Sequence, residues 1–117
     1  MAKKIMIIDD DPDIRSYLKD VLEDAGYHTD SARDGVEGLE KVQVSPPDLI
    51  ALDMDMPQRG GTMFYVKLRK EPVLADIPVV VITGVGPRVP VLTKQVPILS
   101  KPIDPQKLLE VIKSFIG

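Results

Sequence analysis

The sequence has no cysteine and a single histidine, His28. The first absence excludes disulfides, thiol catalysis and cysteine-based metal sites. The second excludes zinc centres built from several histidines. No apolar run approaches the roughly 18 residues of a membrane span. Met1-Ala2-Lys3-Lys4 leads into only Ile5 to Ile8 before Asp9 interrupts. That is too short for a signal-peptide core, and the cytoplasm is the expected compartment. A large excess of one charge is also missing. Fifteen basic residues against eighteen acidic ones leave a net charge of −3, which offers no stripe for a phosphate backbone and argues against direct nucleic-acid binding. What is present, 117 residues of which 44% are hydrophobic and 28% charged, has the composition and size of one globular domain over 1–117.

Short, β-branched apolar runs recur: Ile5-Met6-Ile7-Ile8, Leu49-Ile50-Ala51-Leu52, Val79-Val80-Val81-Ile82 and Val96-Pro97-Ile98-Leu99, with a weaker one from Tyr27 to Ala32. Continuous runs of this kind suit strands buried on both faces of a parallel sheet. Between the first two strong runs, Ile14, Tyr17, Leu18, Val21 and Leu22 mark one face of a helix. Asp11 is placed to cap it, with Pro12 at its first position and Gly26 at its end. The last segment repeats the design, with Asp104 as cap, Pro105 as first residue and Leu108, Leu109, Ile112, Phe115 and Ile116 as the stripe. Segments 34–43 and 62–70 read as weaker helices, the first interrupted by Gly38. Strict alternation of five strands with about five helices predicts an open α/β sheet with helices on both faces. One connection is irregular. Gly84 to Val96 contains Gly86, Pro87 and Pro90, so the fourth helix is expected to be shortened or irregular.

The strong runs end in polar residues: Asp9 and Asp10 after the first, Asp53 after the third, Thr83 after the fourth, Lys101 after the fifth. Open α/β sheets bind ligands beyond the carboxyl ends of their strands, where strand order reverses. With the order 2-1-3-4-5 that point falls between the first and third strands, and the three aspartates converge beside Thr83 and Lys101. Clustered carboxylates repel, so one takes a proton or a cation joins them. Oxygen-only ligands favour Mg²⁺, which completes its shell with water and phosphate oxygens. The cluster therefore reads as a site for Mg²⁺ plus a phosphoryl group. The plain alternative, that Asp9, Asp10 and Asp11 only cap a helix and solvate a turn, fits each aspartate singly but not five polar residues all at strand ends.

These stretches resemble a receiver domain of two-component response regulators along the whole chain. The matching motifs are Ile5 to Pro12 with its acidic pair, Pro47 to Pro57 with Gly61, Pro78 to Gly84, and Lys101-Pro102. The resemblance implies a flavodoxin-like, doubly wound five-stranded parallel sheet of order 2-1-3-4-5. It implies Asp53 as the phosphoacceptor that attacks a phosphohistidine on a histidine kinase or histidine phosphotransfer protein. It further implies Asp10 and Asp53 as Mg²⁺ ligands together with the backbone carbonyl of Asp55, with Asp9 behind them. Thr83 corresponds to the switch hydroxyl, Lys101 to the cation that pairs with the phosphoryl group, and Lys101–Pro102 to a cis peptide. An output domain or protein would read the switch. Such a chain is a signalling module rather than an enzyme, and no membrane contact is expected.

Two positions depart from that pattern. Ile98 stands where receivers usually carry an aromatic residue, which puts their threonine–aromatic coupling in doubt. The Gly/Pro-rich 84–96 connection replaces part of the usual output surface, so either a signal would leave by another surface or by a change within that segment, or the segment is simply shorter and the chain a degenerate receiver. Asp55 invites two readings, a carboxylate that acts on the attacking water and an exposed loop side chain beside a carbonyl ligand. The second is the simpler expectation. Asp9, Asp11, Asp13 and Asp20 fall at EF-hand spacings, but Ile14 occupies the required glycine position and Pro12 sits inside, so calcium is rejected. His28 reads as a strand side chain, and Met54, Met56 and Met63 as packing or loop residues. Two other functions compete. One is a haloacid-dehalogenase-type phosphatase built on Asp53-Met54-Asp55, disfavoured by its place after the third strand and by Pro57. The other is a receiver-like interaction domain that is never phosphorylated.

Overall fold

The computed structural model describes residues 2–55, 61–84 and 96–117. In chain order these form β1 (Lys4–Ile8), α1 (Pro12–Asp24), β2 (His28–Ala32), α2 (Gly35–Val44), β3 (Leu49–Asp53), α3 (Gly61–Lys70), β4 (Val79–Thr83), β5 (Ile98–Ser100) and α4 (Pro105–Ile116). The strands make one parallel sheet ordered β2-β1-β3-β4-β5. The expected order is therefore observed. The shortened helix expected within 84–96 lies outside the described residues, apart from its two ends.

Side chains of a strand alternate between faces, and here the alternation sorts the core into two layers. Met6, Ile8, Ile50, Leu52, Val79 and Val81 face Val42 of α2 and Phe64 and Leu68 of α3. Ile5, Ile7, Leu49, Ala51, Val80 and Ile82 face Leu18 and Leu22 of α1 and Leu108 and Ile112 of α4. The continuous apolar runs are explained by this double coverage: β3 and β4 are buried at every position. Each such aliphatic side chain contributes about 1.5–3 kcal/mol relative to exposure.

Local chemistry sets the element ends. Asp11 caps α1 by accepting the Asp13 amide, and Asp104 caps α4 by accepting those of Gln106 and Lys107. Asp34 does the same for α2 through Glu37. After α1, Gly26 turns the chain with φ of 97°, a left-handed conformation that glycine adopts without steric cost. Gly38 sits inside α2 because a Cβ there would lie 2.6 Å from Ile8 Cδ1. The helix thus packs closely on β1 at the position that weakened its sequence signal.

Several boundaries move by one residue, and two strand starts differ for a physical reason. β2 begins at His28, since the Tyr27 amide is held by the Leu22 carbonyl at the end of α1. β5 covers Ile98–Ser100 rather than starting at Val96. Proline brings no N–H to a ladder, and Pro97 contributes only its carbonyl, which accepts the Val81 amide at 2.9 Å. At the amino ends of the strands, Lys4 and Asp48 clasp each other. The Lys4 amide donates to Asp48 Oδ2 at 2.8 Å and the Asp48 amide to the Lys4 carbonyl at 2.8 Å.

Candidate functional site

The carboxyl ends of β1, β3, β4 and β5 meet in one cleft. β1 and β3 are neighbours in register from Ile5↔Leu49 to Ile8↔Leu52, so Asp9 and Asp10, just past β1, come level with Asp53. One carboxylate oxygen from each of Asp9, Asp10 and Asp53 lies within 4.8 Å of the others. Asp9 and Asp53 are 1% exposed, whereas Asp10 faces solvent.

Each member is held by its backbone surroundings. Asp9 Oδ1 accepts the Asp11 amide at 2.9 Å, and the Asp9 carbonyl accepts from Arg15 Nη1 at 2.7 Å. Asp53 Oδ1 accepts the Asp55 amide at 2.8 Å and Lys101 Nζ at 3.2 Å. The Lys101 amide donates to the Thr83 carbonyl at 3.0 Å, which locks the loop after β5 to the tip of β4. The Lys101–Pro102 peptide is cis, as the motif implied. Gly61, first residue of α3, packs against the far side of Asp53. A Cβ there would lie 2.7 Å from the Asp53 carbonyl oxygen and 2.6 Å from Met54 Sδ. The glycine eight residues past Asp53 is thus required by a close approach of helix to strand.

The charge balance is uneven. Burial pushes the Asp9 carboxyl up to about 6, the Asp11 amide opposes this, and the negative charges of Asp53 and Asp10 add to it. Asp9 Oδ2 is buried without a hydrogen-bond partner among the described residues. An unpartnered carboxylate oxygen in an all-oxygen cluster suits a hard divalent cation. Burial works to lower the Lys101 ammonium, but the hydrogen bond and charge of Asp53, with the charges of Asp9 and Asp55, outweigh it and hold the group above its ordinary value.

Asp55 corrects the sequence reading. Its side chain does not stand in an exposed loop. Oδ1 accepts from Thr83 Oγ1 at 2.7 Å, Oδ2 accepts the Gly84 amide at 2.7 Å, and Oδ2 lies 3.5 Å from Lys101 Nζ. Burial favours the neutral acid, but these donors prevail and keep the carboxyl below its usual range. The signal in the sequence was only an extra acid two residues past Asp53, and nothing in its spacing announced a fold back onto Thr83.

All of the singled-out residues, Asp9, Asp10, Asp53, Asp55, Thr83 and Lys101, therefore lie in this cleft or border it. Asp11 serves as the helix cap that the plain reading gave it. His28 opens β2 as an exposed strand residue. Met54 and Met63 are half-buried, Met54 packing against the α2–α3 layer, and Met56 lies outside the described residues. Ile98, at the first position of β5, packs on the same layer.

The sequence pattern of the response regulator receiver domain matches residues 5–113. The chain belongs to that family, whose members are signalling modules of two-component systems rather than classical enzymes, and which bind Mg²⁺ in an acidic pocket. Protein Rrf1 of Nitratidesulfovibrio vulgaris is 36% identical over 112 residues, covering 96% of this chain and 81% of its own. The polar-differentiation response regulator DivK of Brucella ovis is 32% identical over 122 aligned positions, covering 100% and 98%. The master transcriptional regulator RpaA of Synechocystis is 41% identical over 83 residues, but they make up only 34% of its length. Among solved structures, chemotaxis protein CheY4 of Vibrio cholerae superposes with a TM-score of 0.87 at 28% identity, over 98% of this chain and 99% of that one. The receiver domain of a Syntrophus aciditrophicus histidine kinase gives 0.88 at 28% identity, over 98% and 90%. Receiver domains work with histidine kinases and with output domains or proteins. Among the described residues no helix is long and apolar enough to cross a membrane.

Proposed function

We propose that residues 1–117 act as one Mg²⁺-dependent phosphoacceptor unit in a cytoplasmic phosphorelay, with Asp53 as the acceptor. The observation that carries this reading is the placement of Asp53: a buried carboxylate on the tip of β3, within 4.8 Å of the Asp9 and Asp10 oxygens and 3.2 Å from Lys101 Nζ. Asp10, Asp53 and the Asp55 carbonyl would hold Mg²⁺, with Asp9 behind them. The bound ion supplies positive charge against the carboxylates and the incoming phosphoryl oxygens.

Oδ1 of Asp53 is engaged by the Asp55 amide and Lys101, and neither of those bonds uses Oδ2. Oδ2 is the oxygen that attacks phosphorus. A new O–P bond forms as the P–N bond of a phosphohistidine breaks, and the imidazole nitrogen keeps the electron pair. Catalysis of this kind is mostly positioning and charge neutralisation. Lys101 neutralises the developing charge, and the Thr83 hydroxyl donates to a phosphoryl oxygen once it is in place. Each such group adds about 1.5–2 negative charges at pH 7, and the Thr83–Lys101 backbone link carries its pull into the loops after β4 and β5.

Incubation with acetyl phosphate and Mg²⁺, followed by intact-mass measurement, tests the reading. A mass gain of one phosphoryl group that vanishes in Asp53→Asn is the expected result. Multiple-turnover phosphate release from unrelated monoesters would replace it with a phosphatase. No mass gain at all would leave an interaction domain that keeps the fold.

A further inference from the structure

Three donors of different chemistry converge on the Asp55 carboxylate: the Thr83 hydroxyl at 2.7 Å, the Gly84 amide at 2.7 Å and the Lys101 ammonium at 3.5 Å. They bring together the tip of β4, the residue after it and the loop after β5. Asp53 shares the same ammonium at 3.2 Å, and the Thr83 hydroxyl and Lys101 ammonium that hold the Asp55 carboxylate are the two groups assigned above to the phosphoryl oxygens. A carboxylate and a phosphoryl group both present anionic oxygens that accept charge-assisted hydrogen bonds. One set of donors cannot serve both at full strength.

We propose that the Asp55 carboxylate is a resident substitute for the phosphoryl group, occupying its donors and having to vacate them before an anion on Asp53 can be bound. The inference rests on Asp53 being the acceptor. It goes further in assigning the donors a prior occupant within the chain. The Asp55 side chain is 23% exposed and Gly84 faces solvent. The ligand-free protein therefore keeps Thr83 and Gly84 engaged with an anion, and filling the site exchanges one anion for another. The affinity for a phosphoryl analogue is reduced by the fraction of time the internal carboxylate is seated.

The test uses beryllium trifluoride with Mg²⁺ as the phosphoryl analogue on the full chain, followed by calorimetry and NMR. In the wild-type protein without ligand, a through-hydrogen-bond coupling connects the Gly84 amide nitrogen to the Asp55 carboxyl carbon, and it disappears on saturation with the analogue. Asp55→Ala binds the analogue about tenfold more tightly, as expected when the seated form occupies roughly nine-tenths of the ensemble. Persistence of the coupling in the saturated protein overturns the proposal, because the carboxylate has then not left. So does equal or weaker affinity in Asp55→Ala. A tighter variant whose parent lacks the ligand-free coupling also overturns it, reducing Asp55 to simple charge repulsion. Binding by both proteins with equal affinity defeats this inference and leaves Asp53 as the acceptor. Binding by neither defeats both. The NMR readout needs no variant and holds even where Asp55→Ala folds poorly.

Discussion

Glycine 61 and glycine 38 look alike in the sequence, each a small residue in a helical segment, yet their surroundings set opposite expectations. A methyl at Gly61 would meet the Asp53 carbonyl oxygen at 2.7 Å, a backbone atom that cannot step aside. Gly61→Ala is expected to destabilise by about 2 kcal/mol, in the range of overpacked cores, and to slow phosphate gain by displacing the Asp53 peptide. A methyl at Gly38 meets only side-chain atoms, Ile8 Cδ1 at 2.6 Å and Cγ1 at 3.2 Å within the buried layer, and the gain in helix propensity of about 1 kcal/mol offsets part of the cost of shifting them. Gly38→Ala should leave stability within about 1 kcal/mol of the parent. Urea titrations of both variants decide the contrast, and a loss in Gly38→Ala equal to or larger than that in Gly61→Ala would contradict it. At this scale the sequence displayed the chemistry of Asp9, Asp10, Asp53, Thr83 and Lys101, because each stands at the end of an apolar run. It hid Asp55, because a side chain folding back onto a neighbouring strand leaves no periodic trace.

The elements were readable wherever a local rule and the burial pattern agreed. α1 and α4 each carry an aspartate cap, a proline at the start and an apolar stripe, and both span the residues those signals mark, Pro12–Asp24 and Pro105–Ile116. β3 and β4 were legible because burial on both faces leaves only apolar positions. α2 read weakly because Gly38 serves the packing on β1 rather than the helix. The start of β5 was misplaced because Pro97 looks like strand by hydrophobicity but cannot donate to a ladder. The caps are directly testable. Asp104→Ala removes the acceptor for the Gln106 and Lys107 amides and should cost about 1 kcal/mol, seen as faster amide exchange in the first turn of α4. Exchange unchanged from the parent would show the cap to be idle.

For the molecule as a whole, the acidic cleft couples proton binding to stability, and the proposed cation would join that coupling. Asp9 is pushed up to about 6 when folded, from 3.8 for the unperturbed side chain. The folded state therefore binds this proton more tightly than the unfolded chain. The stabilisation it gives is complete below pH ~4 and lost as pH rises through about 6. Without Mg²⁺, the stability difference between wild type and Asp9→Asn should shift against the wild type by on the order of 2 kcal/mol across that window. Chemical denaturation at pH 4.5, 5.5 and 7 reads the trend, and a difference flat with pH would contradict it. On the proposed reading, Mg²⁺ would compete with that proton. Its affinity should weaken as pH falls from 7 to 5, and at a hundredfold excess over its dissociation constant it should add about 2.7 kcal/mol of stability at neutral pH. A melting temperature indifferent to Mg²⁺ at pH 7 would argue against an ion in the cleft.

The two rims of the parallel sheet differ in chemistry. Asp9, Asp10, Asp53 and Asp55 gather with Thr83 and Lys101 where the strands finish. Where they begin, the Lys4–Asp48 clasp fastens β1 to the turn before β3. Val44, 86% exposed near that second rim, is thus a place to attach a dye or a surface tether away from the acidic cleft, so an immobilised protein would keep the proposed acceptor turned toward solvent.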